Sequence, residues 1–590
     1  MGERFEQEDL KLISGNMQCY VIKDFSSIEK MHDENPGFDK RQLKDICSLY
    51  GFPITIILEK QYTDRMYRDA YYTYYSHLHF DMPRHCQRLA LFAGEFRFYE
   101  FFDNDEYERL EDSLIGTIVI RPSYARDSEY TIGRTLLDPA KLTNSKHLYI
   151  RTADFKAIIC GHKYTINAFP FSNQMGDMLR CAETSVWALL EYYGTRYDMY
   201  RTILPSMILN WESAEMAQRS LPSEGMTYSQ ISGMLKTFGF EPLIYVRDIY
   251  NAESFTGQTY ADVSVLPKSD EQLSQEIPVE DDTLLQLEIN AIEKDQAILN
   301  SRKASLPPVD KSRRLPFANF FYYYIESGLP LISAICNERE SVNHSIIVIG
   351  HYERSPYRTT RESIQQNSFK IGCLDCIDSA SFYERYVTID DNQYPYRVER
   401  YDHFSVNQNC KVKAFIVPLY KHILLRAEDA VSIIEAWVKE FQCQIRDTLL
   451  LLKEIYKNEQ EDASQDSIIL RYFLTTSRGL ADFRNRNTEY IEEKIYYANT
   501  SFPKFVWIGE ISTYDLYNKG IAFGEIILDA TAPRYSGSGA IISVRIGGDC
   551  AGRETDEDPL VIRRKLEERD MLSIAFSFKM YTNNLQKGDF

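Results

Sequence analysis

The most regular hydrophobic spacing in the chain starts at Cys181, after which Ala182, Val186, Leu189, Leu190 and Tyr193 recur at steps of three and four. That period predicts an amphipathic helix from Cys181 to Tyr193, with Gly194 in the place of a C′ residue. A second helix is predicted after Gly225. Thr227 and Gln230 have the spacing of a capping box, and Ile231, Met234, Leu235 and Phe238 form an apolar stripe ahead of Gly239. Short β-branched runs predict strands at Gly116–Ile120 (stopped by Pro122), His147–Thr152, Leu329–Cys336, His344–Gly350, Tyr386–Ile389 and Lys413–Val417. Phe92–Phe102 interleaves aromatic and polar residues, loosely as a strand does. Beyond Pro418 a helical pattern runs from Ala427 to about Asn458, followed by the polar gap Glu459–Asp466 and a further helix-rich stretch. Strands return at Lys504–Gly509, Ile521–Leu528 and Ala540–Arg545.

A chain of 590 residues is too long for one hydrophobic core. The order of elements predicts an α+β protein of three parts: an N-terminal α+β domain over 1–154, a middle domain over 155–420, and a C-terminal α+β domain over 421–590. The stretch near 255–315 is more charged and ends in Leu306-Pro-Pro-Val. It reads as an exposed insertion in the middle domain.

Composition narrows the classes of function. The chain is 44% hydrophobic and 26% charged, as folded proteins are, with a formal net charge of −19. Such an acidic protein repels phosphate backbones and anionic lipid, so neither nucleic acid nor a membrane surface is expected as a partner. The start Met1-Gly-Glu-Arg-Phe-Glu6 leads into no apolar signal-peptide core, and no apolar run approaches the length of a membrane span. Eleven cysteines, an odd number thinly spread, fit reduced thiols and a cytoplasmic setting. Cys373-Leu-Asp-Cys376 is the one CxxC. Without a second ligand pair it reads as buried strand-end cysteines, not as zinc, and no cofactor or metal is expected.

Chemistry concentrates in the middle domain. A thiol becomes nucleophilic where its thiolate is stabilised, and the first turn of a helix does this through its unpaired N–H groups. Cys181 opens the predicted helix, with Arg180 beside it. His344 stands first on the strand that follows Asn343, where an imidazole can project from a sheet toward a helix N-terminus. His351, at the far end of that strand, is expected to face solvent. A third group must orient the imidazole, and the turn Asp390-Asp391-Asn392 follows a strand directly. Asp390 is nearest the strand end and is preferred, then Asp391, then Asn392.

These segments resemble the bacterial papain-like cysteine peptidases, and among them the bacteriocin-leader-processing branch. The resemblance rests on Gln174–Gly194, the Gly225 helix, Gly328-Leu-Pro330, Asn343–Gly350 and the Asp390 turn. It covers roughly residues 165–420. It implies a helical lobe carrying the cysteine, a sheet lobe carrying the histidine and aspartate, and a cleft between them. It also implies a glutamine that helps the Cys181 N–H hold an oxyanion, for which Gln174 is the candidate. Gln174 lies one position further from the cysteine than the family's glutamine does, so its register needs a bulged loop. Ala182 replaces the common glycine after the nucleophile. The interval from Cys181 to His344 exceeds the roughly 130–150 residues of papain-type enzymes, an excess the charged insertion accounts for.

The function expected is therefore a thiol hydrolase that cleaves an amide bond in a protein or peptide substrate. A transglutaminase-like or deamidating enzyme is the first alternative, and a non-catalytic adaptor with the same fold is the second. Two large flanking domains suggest substrate selection or gating by a regulatory protein partner, as in a toxin or bacterial defence effector.

Overall fold

The first sheet is built from consecutive strands: β1 (Met17–Ile22), β2 (Ile54–Tyr62), β3 (Cys86–Ala93), β4 (Leu114–Tyr124) and β5 (Tyr130–Leu137), each antiparallel to the next. Helices α1 (Phe25–Glu34), α2 (Lys40–Tyr50) and α3 (Arg65–Thr73) fill the connections, each opened by an aspartate whose carboxylate accepts from first-turn N–H groups. The computed structural model describes residues 15–35, 39–79, 82–124, 130–176, 178–215, 221, 223, 225–248, 315–337, 343–355, 366–404, 409–455, 467–488, 491–533, 540–547, 549–552, 561–564 and 577–587. Nearly all of the charged insertion and the gap at 459–466 lie outside these residues.

Pro122 does not end β4. Pairing with β3 stops at Ile120, and pairing with β5 shifts register between Arg121 and Tyr124, so the proline sits where no ladder N–H is required. The aromatic run after β3 is not a strand either. Gly94 turns the chain with φ 111°, and Phe98–Phe102 is a 3-10 turn that buries Phe101.

The central sheet orders β15 (Arg397–Arg400), β14 (Arg385–Ile389), β11 (Asn343–Tyr352), β10 (Leu331–Cys336), β16 (Lys411–Val417) and β9 (Leu243–Val246), all antiparallel. Strand β6 (Leu148–Ile150) pairs with the far end of β11, and Gln586–Lys587 pairs with β6 in turn. The hairpin of β7 (Ala153–Ile159) and β8 (His162–Ala168) precedes the segment that leads to Cys181. The third sheet runs β12 (Ser368–Ile371), β13 (Leu374–Asp378), β17 (Ser467–Thr476), β18 (Phe505–Thr513), β19 (Gly524–Asp529) and β20 (Ile541–Ile546), with β13 parallel to β17. Strand pairing therefore runs across both residue 154 and residue 420. The chain is a mixed α+β protein.

Packing explains why β11 reads as an unbroken apolar run. Ile347 and Ile349 join a core shared with the first sheet and helix α4 (Cys181–Arg196). Ile346 and Val348 join another, shared with α7 (Phe317–Glu326) and the third sheet; α5 (Pro205–Glu215) and α6 (Tyr228–Thr237) lie between α4 and α7 in the chain. Side chains alternate between two buried faces, so both sets must be apolar.

Helix α4 departs from the amphipathic expectation in the same way. Every residue from Ala182 to Tyr193 is buried, because the helix packs on β11 of the central sheet and is covered elsewhere by β7, α5 and α6. Of its two buried carboxylates, Glu183 lies in the first turn, and Glu191, toward the other end, pairs with Arg134 of β5 at 3.1 Å. Gly194 is not a C′ residue, since the helix continues to Arg196. A Cβ at that position would lie 2.3 Å from the Thr202 backbone nitrogen, so glycine serves close approach of the returning chain.

His351 is buried, not solvent-facing. Strand β6 and helix α7 cover its end of β11; its Nε2 lies 2.9 Å from Glu326 Oε2, and its ring stacks on Tyr149. Glu326 also pairs with Arg471, which reaches Glu510 at 2.6 Å. Of the CxxC pair, Cys376 is buried in β13 but Cys373 is exposed at the hairpin, and every described cysteine is unbridged. Among the described residues, no helix is long and apolar enough to cross a membrane.

Candidate active site

Cys181 is the first residue of α4. Arg180, the N-cap, is extended and its side chain accepts nothing from the first turn. The first intrahelical bond is Thr184 N–H to the Arg180 carbonyl at 2.9 Å, so the N–H groups ahead of it have no side-chain cap and favour negative charge at the thiol. Asp or Ser at this N-cap would satisfy those groups and remove that effect.

His344, on the second residue of β11, lines the same cleft as Cys181, whose thiol helps hold the imidazole's proton. Its Nε2 donates to Asp390 Oδ1 at 2.7 Å, and the Asp391 carboxylate lies 3.6 Å away. Asp390 follows β14 directly. Its Oδ1 also accepts the Asn392 backbone N–H at 2.9 Å, which fixes the carboxylate before it meets the imidazole. Burial works against a charged imidazole here. Hydrogen bonds to Asp390 and Cys181, and the charges of Asp390 and Asp391, outweigh it and push His344 up to about 11.

Asp391 behaves differently. Only 6% exposed and beside Asp390, it is raised to about 7 by burial, against the pull of His344. One of its oxygens accepts from Gln174 Nε2 at 3.3 Å, while the other meets no partner. Asp390, the preferred residue, is nearest the imidazole, but Asn392 Nδ2 at 3.3 Å is nearer than Asp391 at 3.6 Å, the reverse of the order expected for second and third place.

Gln174 belongs to this cluster, but its amide points to the turn that carries the aspartates. It donates to Asp391 and to Asn392 Oδ1, both at 3.3 Å. The bulged loop its register requires is present: Met175 N–H donates to the Leu179 carbonyl, and Gly176 takes φ 58°.

A cleft of 810 Å³ opens in front of the thiol. Cys181 and Ala182 form one wall, with Gly225–Tyr228 and Ile231 beside them; His344, Ser345, Ile332, Ala334, Lys413 and Ala414 form the other. The Gly225 wall is tied to α4. Ser223 Oγ donates to Glu183 Oε1 at 2.5 Å and accepts the Gly225 N–H at 3.1 Å. Glu212 of α5 is buried nearby and is raised to about 8 by burial and by the charge of Glu183. The predicted capping box of α6, Thr227 with Gln230, is formed.

His344, Asp390 and Asp391 offer ligand atoms within 4.8 Å of one another, the one such His, Cys, Asp or Glu group among the described residues. In the structure these atoms are engaged with one another and with Gln174.

Several residues here escaped the sequence reading. Ser185, one turn beyond Cys181, and Ser345, next to His344, join helix to strand; their adjacency to the pair was a usable signal. Glu183 was readable as a polar residue in an apolar helix. Gln42 and Arg121, which hold the segment at 173–174, lie far away in sequence and carried no local signal.

Comparison with known proteins finds no match to a family model, to a curated protein or to a solved structure.

Proposed function

We propose that the chain is a thiol hydrolase with a papain-like core, acting as a cysteine peptidase on an amide bond of a protein or peptide. The observation that carries this reading is the Cys181–His344–Asp390 arrangement: a thiol on a helix's first residue, sharing one cleft with an imidazole whose Nε2 is held at 2.7 Å by a buried carboxylate. Each partner does what a nucleophile, base and orienting acid must do.

In the reaction, His344 holds the Cys181 proton as an imidazolium beside the thiolate. Sulfur attacks the carbonyl carbon, and the oxyanion faces the free N–H groups of the first turn of α4. His344 then gives its proton to the departing amine as the C–N bond breaks, leaving a thioester. Water, deprotonated by His344, cleaves the thioester and restores the thiol. The apolar lining of the cleft suits side chains flanking the scissile bond.

The test is mass-spectrometric mapping of thiol alkylation at neutral pH, in the natural protein and in His344→Ala. Selective labelling of Cys181, slowed about 100-fold or more by the substitution, is expected. Equal labelling of Cys181 and exposed Cys443 in both proteins sinks the reading. With an activated thiol in hand, peptide cleavage against incorporation of an added amine separates a peptidase from a transglutaminase-like enzyme.

A further inference from the structure

The side chain of Gln42 lies on α2 in the first sheet's layer, far from the cleft in sequence, yet it touches both loops that frame the triad. Its Nε2 donates to Asn173 Oδ1 at 3.1 Å and to the Gln393 carbonyl, and its Oε1 accepts from Asn173 Nδ2 at 3.0 Å. Asn173 adjoins Gln174. Gln393 closes the turn of the aspartates, its N–H donating to the Asp390 carbonyl at 3.0 Å. Arg121 of β4, fully buried, grips the same segment, donating to the carbonyls of Asn173 at 2.8 Å and Gln174 at 3.0 Å.

We infer that Gln42 is a positioning residue for the hydrolase site, a bracket that fixes the spacing between the Gln174 loop and the Asp390–Gln393 turn. This inference rests on the proposed triad for its purpose, but the bracket itself is a matter of geometry. An amide is suited to the task because it has a donor face and an acceptor face: one meets Asn173 reciprocally while the second N–H reaches a backbone carbonyl. Neither Glu nor Leu, of similar length, could make all three bonds. The helix that carries it is rigid at this point. Asp39 Oδ1 accepts the N–H groups of Arg41 and Gln42, and Leu43, Ile46 and Cys47 anchor α2 in the core. A group held on a rigid element transmits small displacements to the site it braces, and displacements near 1 Å can slow chemistry about 100-fold. The first sheet's layer is thereby part of the active site, not an appendage to it.

The experiment uses full-length protein labelled with ¹³C at histidine Cε1, the His344 signal being assigned by its loss in His344→Ala. Its pH titration is followed in the natural protein, in Gln42→Ala, and in Gln42→Glu, which keeps the size and the acceptor but loses the donors to Asn173 and Gln393. Besides Asp390 and Asp391, the groups facing His344 are Cys181 and Asn392, with Cys410 of the neighbouring segment in electrostatic reach, all unchanged in these variants. Release of the Asp390 turn is expected to move the His344 midpoint to lower pH, more in Gln42→Ala than in Gln42→Glu. Cys181 alkylation at pH 7 is expected to slow by about 10- to 100-fold, with that of exposed Cys443 unchanged. A folded Gln42→Glu protein in which the His344 midpoint matches the natural one overturns the inference, even if thermal stability has dropped. The hydrolase reading fails separately, if Cys181 in the natural protein shows no His344-dependent reactivity; the titration still reports on the bracket in that case.

Discussion

Ser185 and Ser345 clamp the helix that Cys181 opens to the strand that carries His344: Ser345 Oγ donates to Ser185 Oγ at 3.2 Å, and Ser185 Oγ donates to the Ser345 carbonyl at 3.4 Å. One lies a helical turn after Cys181 and the other directly after His344, so the clamp sets the separation of sulfur and imidazole. Both hydroxyls are buried. Ser185→Ala removes two contacts and strands the Ser345 hydroxyl, whereas Ser345→Ala removes one. Losses of about 1–2 and about 0.5–1 kcal/mol respectively are expected in denaturant unfolding. Equal losses would show that the carbonyl bond contributes nothing.

The imidazole gives a pH prediction. His344 sits at about 11 in the folded chain, well above its ordinary 6.5, so its charged form is bound more tightly when folded. The resulting stabilisation is complete below about pH 6.5 and is lost as pH rises through about 11. Asp390→Asn removes the principal attractive partner. Thermal melts from pH 6 to 10 should find the variant less stable at the acid end, with the difference shrinking toward the alkaline end. A gap constant with pH would mean that Asp390 acts by packing alone.

Glu212 carries the same sign with the opposite charge. Its carboxyl is raised to about 8, so the folded chain prefers it protonated, and stability is lost as pH climbs from its ordinary 4.5 through about 8. Glu212→Gln keeps the shape and cannot ionise. Its melting temperature should match the natural protein near pH 5 and exceed it at pH 9. A deficit at pH 9 would show that the ionised carboxylate has a stabilising partner.

At Gly194 two effects compete. Alanine is favoured over glycine inside a helix by about 1 kcal/mol. Against this, the added Cβ meets backbone atoms of Arg201 and Thr202 at 2.5 and 2.3 Å, and backbone cannot rotate aside as a side chain can. Overpacking of this kind costs about 1–3 kcal/mol or more, so Gly194→Ala should lower the melting temperature. A rise would mean that the 201–202 segment yields freely.

Local signals made the triad legible. A cysteine opening a periodic run, a histidine opening an apolar strand and aspartates closing one are each visible within ten residues, and the fold brings them together. What was illegible depends on partners distant in sequence. The buried outer face of α4 follows from cover by β7, α5 and α6, and the burial of His351 from cover by β6 and α7. Gly194 carries two meanings, helix end and close approach, and only Arg201 and Thr202 distinguish them. The hairpin β12–β13 joins the third sheet through parallel pairing with β17, for which neither segment holds a local cue. Gln42 is an ordinary polar residue on a helix until its partners at 173 and 393 are known.

The short pairing of β6 with Gln586–Lys587 bears on the timing of folding. Thr152 and Gln586 hydrogen-bond across 434 positions, an interval that takes roughly 20–90 s to synthesise at about 5–20 residues per second. Through that time β6, which flanks the strand of both His344 and His351, lacks its outer neighbour. Contacts of such separation form slowly because a long loop must close before they repay its entropy. The sheet that carries the imidazole is thus completed late, after the first sheet and α4 have emerged and can already pack together.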